Sequence, residues 1–123
     1  MATTLTEEQR TRATESQEYW LATVRPDPAG HVVPIWAVVV GDVFYMGTER
    51  TSQKVKNIQA HPRAALALPD THHPIIFEGE TALMERPFPP EIEEAFQSKY
   101  NWDINEEGIY IVISLTPDKI IAW

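Results

Sequence analysis

The chain of 123 residues has a formal net charge of −8, with 43% hydrophobic and 23% charged residues. That length and balance predict a single globular domain over residues 1–123, with no signature of disorder. The acidity argues against a nucleic-acid or anionic-membrane surface, and the absence of cysteine excludes disulfides, thiol catalysis and cysteine-ligated zinc.

The opening stretch MATTLTEEQR carries acids and lacks an apolar core, so a secretory signal is not expected. The longest apolar stretch, Val32 to Val40, is interrupted by Pro34 and is too short to span a bilayer; a cytoplasmic protein is expected. Thr6-Glu7-Glu8-Gln9 has the form of a capping box, which predicts a helix from Thr6 to about Gln17. Tyr19 to Arg25 is aromatic and β-branched and predicts a strand, closed by the turn Pro26-Asp27-Pro28-Ala29-Gly30. His31 to Val40 predicts one long second strand. Gly41-Asp42 suits a two-residue hairpin with glycine first, the type II′ arrangement, leading into a third strand over Val43–Met46.

Thr51 is placed to cap a short helix from about Ser52 to Ala60, stopped by His61-Pro62, because proline disfavours helix in the residue before it. Arg63–Leu68 and Ile75–Met84 predict the fourth and fifth strands, with Gly79 a bulge or a point of close contact. Pro89-Pro90 opens a helix whose Ile92, Ala95, Phe96 and Tyr100 form a buried stripe. Ile109–Leu115 predicts a sixth strand, which Thr116-Pro117-Asp118 turns into a terminal strand over Lys119–Trp123. Many strands joined by hairpins, with a few short helices, predict a mainly β, antiparallel, closed or partly closed barrel.

Four of the ten lysines and arginines, Arg50, Lys54, Lys56 and Arg63, crowd one segment, which suits one specific anion. A strand ends there at Gly47-Thr48 and a helix starts just after Thr51. The free N–H groups and positive dipole of a helix start favour an anion, and Thr48, Thr51, Ser52 and Lys54 add donors and charge. The alternative is a capped surface helix with solvated lysines. Trp36 offers a surface to an aromatic ligand or serves as a core or interface aromatic. Pro34 lacks a ladder donor, so its strand is expected to be interrupted there and to leave backbone groups for a polar ring edge. The histidines His31, His61, His72 and His73 show no metal-ligand spacing, so no metal site is expected.

The sequence resembles the pyridoxamine 5′-phosphate oxidase-like split barrels, a flavin mononucleotide (FMN)-binding superfamily that includes deazaflavin-dependent oxidoreductases. The likeness runs through Leu21–Asp27, His31–Trp36 and Phe44–Thr48. Its most specific piece is Thr51–Ile58 followed by His61–Leu66, and Phe77–Ala82 and Lys99–Trp102 continue it. The resemblance implies an antiparallel split β-barrel of the FMN-binding type, working as a homodimer with two cofactor sites at its interface. By the same likeness the backbone of Val33, Pro34, Ile35 and Trp36 would line the flavin ring. Gly47 and Thr48 would flank the ribityl chain, Ser52, Gln53 and Lys54 would hold the phosphate, and Trp123 would border the ring. Gln53 departs from the arginine many relatives carry, which implies either weaker phosphate binding or Arg50 as a substitute. The 123 residues are also short for a true pyridoxamine phosphate oxidase with its C-terminal extension, so that particular activity is not expected. What is implied is an FMN-dependent oxidoreductase acting on a small-molecule substrate, with no catalytic acid or base assigned. The open alternatives are an enzyme using the 5-deazaflavin coenzyme and a non-catalytic flavin-binding or sensor protein.

Overall fold

The structure is a computed structural model that describes residues 3–106 and 108–123. Helix α1 (Glu7–Glu15) begins with the predicted capping box: the Gln9 N–H donates to Thr6 Oγ1 and the Thr6 N–H to Gln9 Oε1. It ends two residues short of Gln17, at Glu15, with Ser16 as its C-cap. Ion pairs from Arg10 to Asp42 (2.5 Å) and from Arg12 to Asp70 (3.5 Å) hold it to the barrel.

Seven strands follow: β1 (Tyr19–Val24), β2 (Gly30–Ile35), β3 (Ala37–Val40), β4 (Val43–Glu49), β5 (Arg63–Ala67), β6 (Ile75–Met84) and β7 (Tyr110–Ala122). They form one antiparallel sheet in the order β2-β1-β5-β6-β7-β4-β3. The sheet is strongly curled. Tyr19 on β1 and Phe44 on β4 lie four places apart in the strand order, yet their ring centroids are 6.4 Å apart. Phe44 also packs on Phe77 of β6 at 4.6 Å, and all three rings are fully buried with Leu21, Met46, Leu66, Ile113 and Leu115. The curl thus wraps the strands around one core as a half-barrel.

The expected single strand from His31 to Val40 is two strands on opposite margins of the sheet. The break falls at Trp36, not at Pro34: the β1–β2 register runs unbroken from Val24↔Gly30 to Tyr19↔Ile35 and includes Trp20↔Pro34. Proline is tolerated because β2 is an edge strand. The Gly41-Asp42 hairpin stands, with Gly41 at φ +64° and Val40 paired to Val43. Conversely, the expected turn at Thr116-Pro117-Asp118 is absent and β7 runs straight through it. Its Pro117 lies opposite Gly79, where the β6–β7 register shifts between Glu78 and Gly79. A bulge leaves the ladder locally short of a bond, which is where a strand accommodates proline.

Helix α2 (Gln53–Ala60) bridges β4 to β5 and packs on β1, burying Val55, Asn57 and Ile58. Helix α3 (Pro90–Tyr100) carries the predicted buried stripe through Ile92 and Phe96, and ends at Asn101 in the left-handed region (φ 53°). With Val38, Phe88, Ile104 and Val112 it makes a second apolar cluster beside the barrel.

Candidate binding cleft

The β4–α2 junction sets the first wall. Ser52, not Thr51, is the N-cap of α2, and its hydroxyl makes no capping bond. Instead it accepts from Thr48 Oγ1 at 3.3 Å. The N–H groups of Gln53 and Lys54 find no acceptor among the described residues, as expected of a first helical turn. Lys54 reaches from that turn into a cleft of about 380 Å³ lined also by Glu18, Pro34, Ile35, Trp36, Gly47, Thr48 and Trp102. Partial burial lowers the Lys54 pKa from the ordinary lysine value, and the Glu49 carboxylate opposes that shift.

The second wall is aromatic. Trp36 is 49% exposed, although its ring stacks on Tyr100 (centroids 4.5 Å, planes at 4°) and meets Trp102 edge-on at 6.0 Å. Trp102 also stands edge-on to Phe96 and Tyr110. Gly47 lies directly beneath it: a Cβ there would come within 2.6 Å of the Trp102 ring and 2.5 Å of Ile104 Cδ1. Any larger residue at 47 would displace the indole, so the strand approaches the cleft floor as bare backbone.

Behind Trp36 a lysine braces the wall. Lys99 Nζ donates to Tyr19 Oη at 2.7 Å and to the Ala37 carbonyl at 3.0 Å. Tyr19 in turn donates to the Ala13 carbonyl, and Tyr100 Oη bonds both the N–H and the carbonyl of Ala37. No carboxylate pairs with Lys99 among the described residues, and burial alone lowers its pKa to about 8. An unfolded lysine titrates near ~10.4. Between those values the unfolded chain binds the extra proton, so this group makes stability rise with pH across that window, while below it the cost is constant. The urea midpoint of Lys99→Met relative to the parent is therefore expected to be most favourable at pH 7 and to fall as pH rises to ~10.5. A constant difference across that range would mean the charge is not what costs stability.

Of the ten residues expected to bind a cofactor, the cleft gathers Pro34, Ile35, Trp36, Gly47, Thr48 and Lys54. Ser52 is one hydrogen bond away from it. Val33 sits in β2 with its side chain packed on the core. Gln53 is turned along the helix: its Nε2 donates to Asn57 Oδ1 at 2.7 Å, and the fully buried Asn57 donates to Thr23 Oγ1 at 2.9 Å. Trp123, 75% exposed, lines a separate cleft against α1 with Gln9, Arg12 and His73. Arg50, the candidate substitute for Gln53, is paired with Glu85 at 2.7 Å. Glu18 and Trp102 line the cleft without having been assigned to it from sequence. Lys99–Trp102 carried part of the resemblance, whereas Glu18 gave no sequence signal.

A curled antiparallel sheet with a cleft between a helix start and an indole wall defines a split-barrel fold. The chain belongs to the pyridoxamine 5′-phosphate oxidase family, whose sequence model matches residues 5–123. Solved structures it is similar to include the conserved hypothetical protein Rv2991 of Mycobacterium tuberculosis, at 20% identity and TM-score 0.83 over 99% of this chain and 86% of that one. An F420 reductase follows at 20% identity and TM-score 0.78, over 95% of this chain and 98% of that one. HutZ, the heme storage protein of Vibrio cholerae, is similar at 13% identity and TM-score 0.81, over 98% and 95%. At these identities the likeness shows the shared fold. No curated protein matches the sequence significantly. Among the described residues no helix is long and apolar enough to cross a membrane.

Proposed function

We propose that the protein is a cytoplasmic, homodimeric FMN-binding oxidoreductase acting on a small-molecule substrate. The observation that carries this reading is the convergence of two chemistries in one cleft. Lys54, the unpaired Gln53 and Lys54 N–H groups and the Thr48 and Ser52 hydroxyls form a donor set for a phosphate. Beside them the indoles of Trp36 and Trp102, in edge-to-face contact, form an aromatic wall for a planar ring. The donor set fits FMN, which supplies the hydride chemistry when bound; the chain's own part is to hold the phosphate, flank the ring and limit water. Trp20, Val32 and Pro34 stand exposed on the outer face of β1–β2, next to Trp36, and give a second copy an apolar surface bordering the cleft.

The rival cofactor is the 5-deazaflavin coenzyme, favoured by the likeness to an F420 reductase. Its polyanionic tail calls for a basic groove, and the acidic chain offers only the cations near Lys54. Haem is less well served, because no histidine, cysteine or methionine is among the residues lining the cleft. A non-catalytic flavin carrier shares the site and differs only in turnover. The test is the absorption spectrum of the purified protein together with its sedimentation. Bound flavin on a dimer is the expected result. A colourless protein that binds deazaflavin and not FMN, a haem spectrum, or a flavin-loaded monomer would each overturn the corresponding part.

A further inference from the structure

The two ends of the cleft carry opposite charge. At one end Lys54 projects from the first turn of α2, beside Thr48. That helix is tied to β1 at Thr23, toward the far end of the strand from Glu18. At the other end stands Glu18, whose position is fixed from both sides. The β1–β2 ladder closes with Tyr19↔Ile35. One residue beyond Glu18 and Trp36, the Tyr100 hydroxyl joins the two chains again: it accepts from the Ala37 N–H at 3.1 Å and lies 2.9 Å from the Gln17 carbonyl oxygen. Glu18 and Trp36 are thus held opposite one another, between a ladder pair and a bridge. Tyr19 and Ile35 are buried, so the alternation of an extended chain turns the next pair outward. The Ser16 hydroxyl, donating to the Glu18 carbonyl at 2.6 Å, adds a further tie.

The Glu18 carboxylate has no hydrogen-bond or ion-pair partner among the described residues. Lys99, the lysine behind this wall, is turned inward to Tyr19 Oη and the Ala37 carbonyl. Beside Glu18 the Trp36 indole offers a π surface. Tyr100 stacks on one of its faces, so much of its 49% exposure lies on the other. The face of an indole attracts cations, and an adjacent carboxylate adds to that attraction. An anion entering at this end meets an uncompensated negative charge, while a cation meets two matched partners.

We propose that Glu18 and the free face of Trp36 select the substrate: the protein takes a small molecule bearing an organic ammonium group, which seats at the Glu18 end of the cleft. This rests on the FMN-type reading above and adds to it the substrate class. A phosphate-bearing cofactor takes the positive end at Lys54 and leaves the negative end to a ligand of opposite charge. Both recognition groups stand at the surface, where a cation–π contact and an exposed ion pair each contribute modestly. Together they correspond to a preference of roughly fivefold for a cation over a neutral molecule of similar shape.

The test begins with FMN binding, read by flavin fluorescence. The FMN-loaded protein is then titrated calorimetrically with benzyltrimethylammonium, benzyl alcohol and phenylacetate, probes that share a ring and differ in charge. The cation is expected to bind roughly fivefold more tightly than the neutral probe, and the anion most weakly. Glu18→Gln should remove most of that preference while FMN still binds. Glu18→Lys should invert the order and make phenylacetate the tightest of the three. Equal affinities in the parent, or the same order in both variants, would overturn the proposal and leave the FMN reading intact. Altered sedimentation of Glu18→Lys with an unaltered probe order would assign the carboxylate to a contact between subunits and overturn it as well. If FMN does not bind, the cofactor reading fails and takes this one with it.

Discussion

Lys54→Ala is expected to weaken FMN binding by roughly ten- to a hundredfold, the range that corresponds to ~1.5–3 kcal/mol for hydrogen bonds to a charged group. Riboflavin binding should be nearly unchanged. The size of the effect follows from the lack of a replacement. Arg50 and Arg63 are tied to Glu85, Glu80 and Asp118, so neither arginine of that segment can turn in without giving up an acidic partner. The Lys54 ammonium is also half shielded from water, which strengthens its interaction with a bound anion. Fluorescence titration of both flavins reads the result. An equal loss for both would place Lys54 against the ring instead of the phosphate, and no loss would remove it from the site.

The second large effect concerns stability. Gly79→Ala is expected to cost ~3 kcal/mol, the upper end of the ~1–3 kcal/mol that over-packing typically costs, because the clash is with backbone. A Cβ at Gly79 would lie 2.0 Å from the Thr116 carbonyl oxygen, 2.7 Å from its carbon and 2.9 Å from Pro117 Cα. All three are backbone atoms, so no side-chain rotation relieves the clash, and β7 itself must move. Since β6 and β7 share the longest ladder in the sheet, the strain falls on its centre. Urea unfolding followed by circular dichroism should show a lower midpoint with an unchanged slope. A midpoint within error of the parent would show that the bulge has slack the geometry does not suggest.

Local physical signals carried much of the fold into the sequence. The capping box at Thr6 and Gln9, the Gly41-Asp42 hairpin, the full span of β6 and the bulge at Gly79 all depend on residues near one another in the chain. The misreadings came from long-range effects. Nothing local distinguishes Trp36 from the apolar residues around it, so the parting of β2 from β3 was invisible until the sheet curled. Pro117 carries a turn signal that Gly79, 38 positions earlier, overrides by opening the ladder opposite it. The site shows the same division. Gly47, Thr48 and Lys54 were readable because a strand end and a helix start adjoin in sequence. The clustering of Arg50 and Arg63 beside them misled, since their acidic partners lie 35, 17 and 55 residues away.

The position of β2 and β3 at the two margins of the sheet has a consequence for how the molecule behaves in a crowd. A sheet margin presents unpaired backbone donors and acceptors, and in many proteins these recruit strands from other molecules into aggregates. Here one margin contains Pro34, which removes a donor from the row, and the other is only four residues long. Trp36 interrupts the run between them, so the two margins do not join into one long adhesive edge. The break that leaves room beside the indole thus also limits unwanted strand pairing.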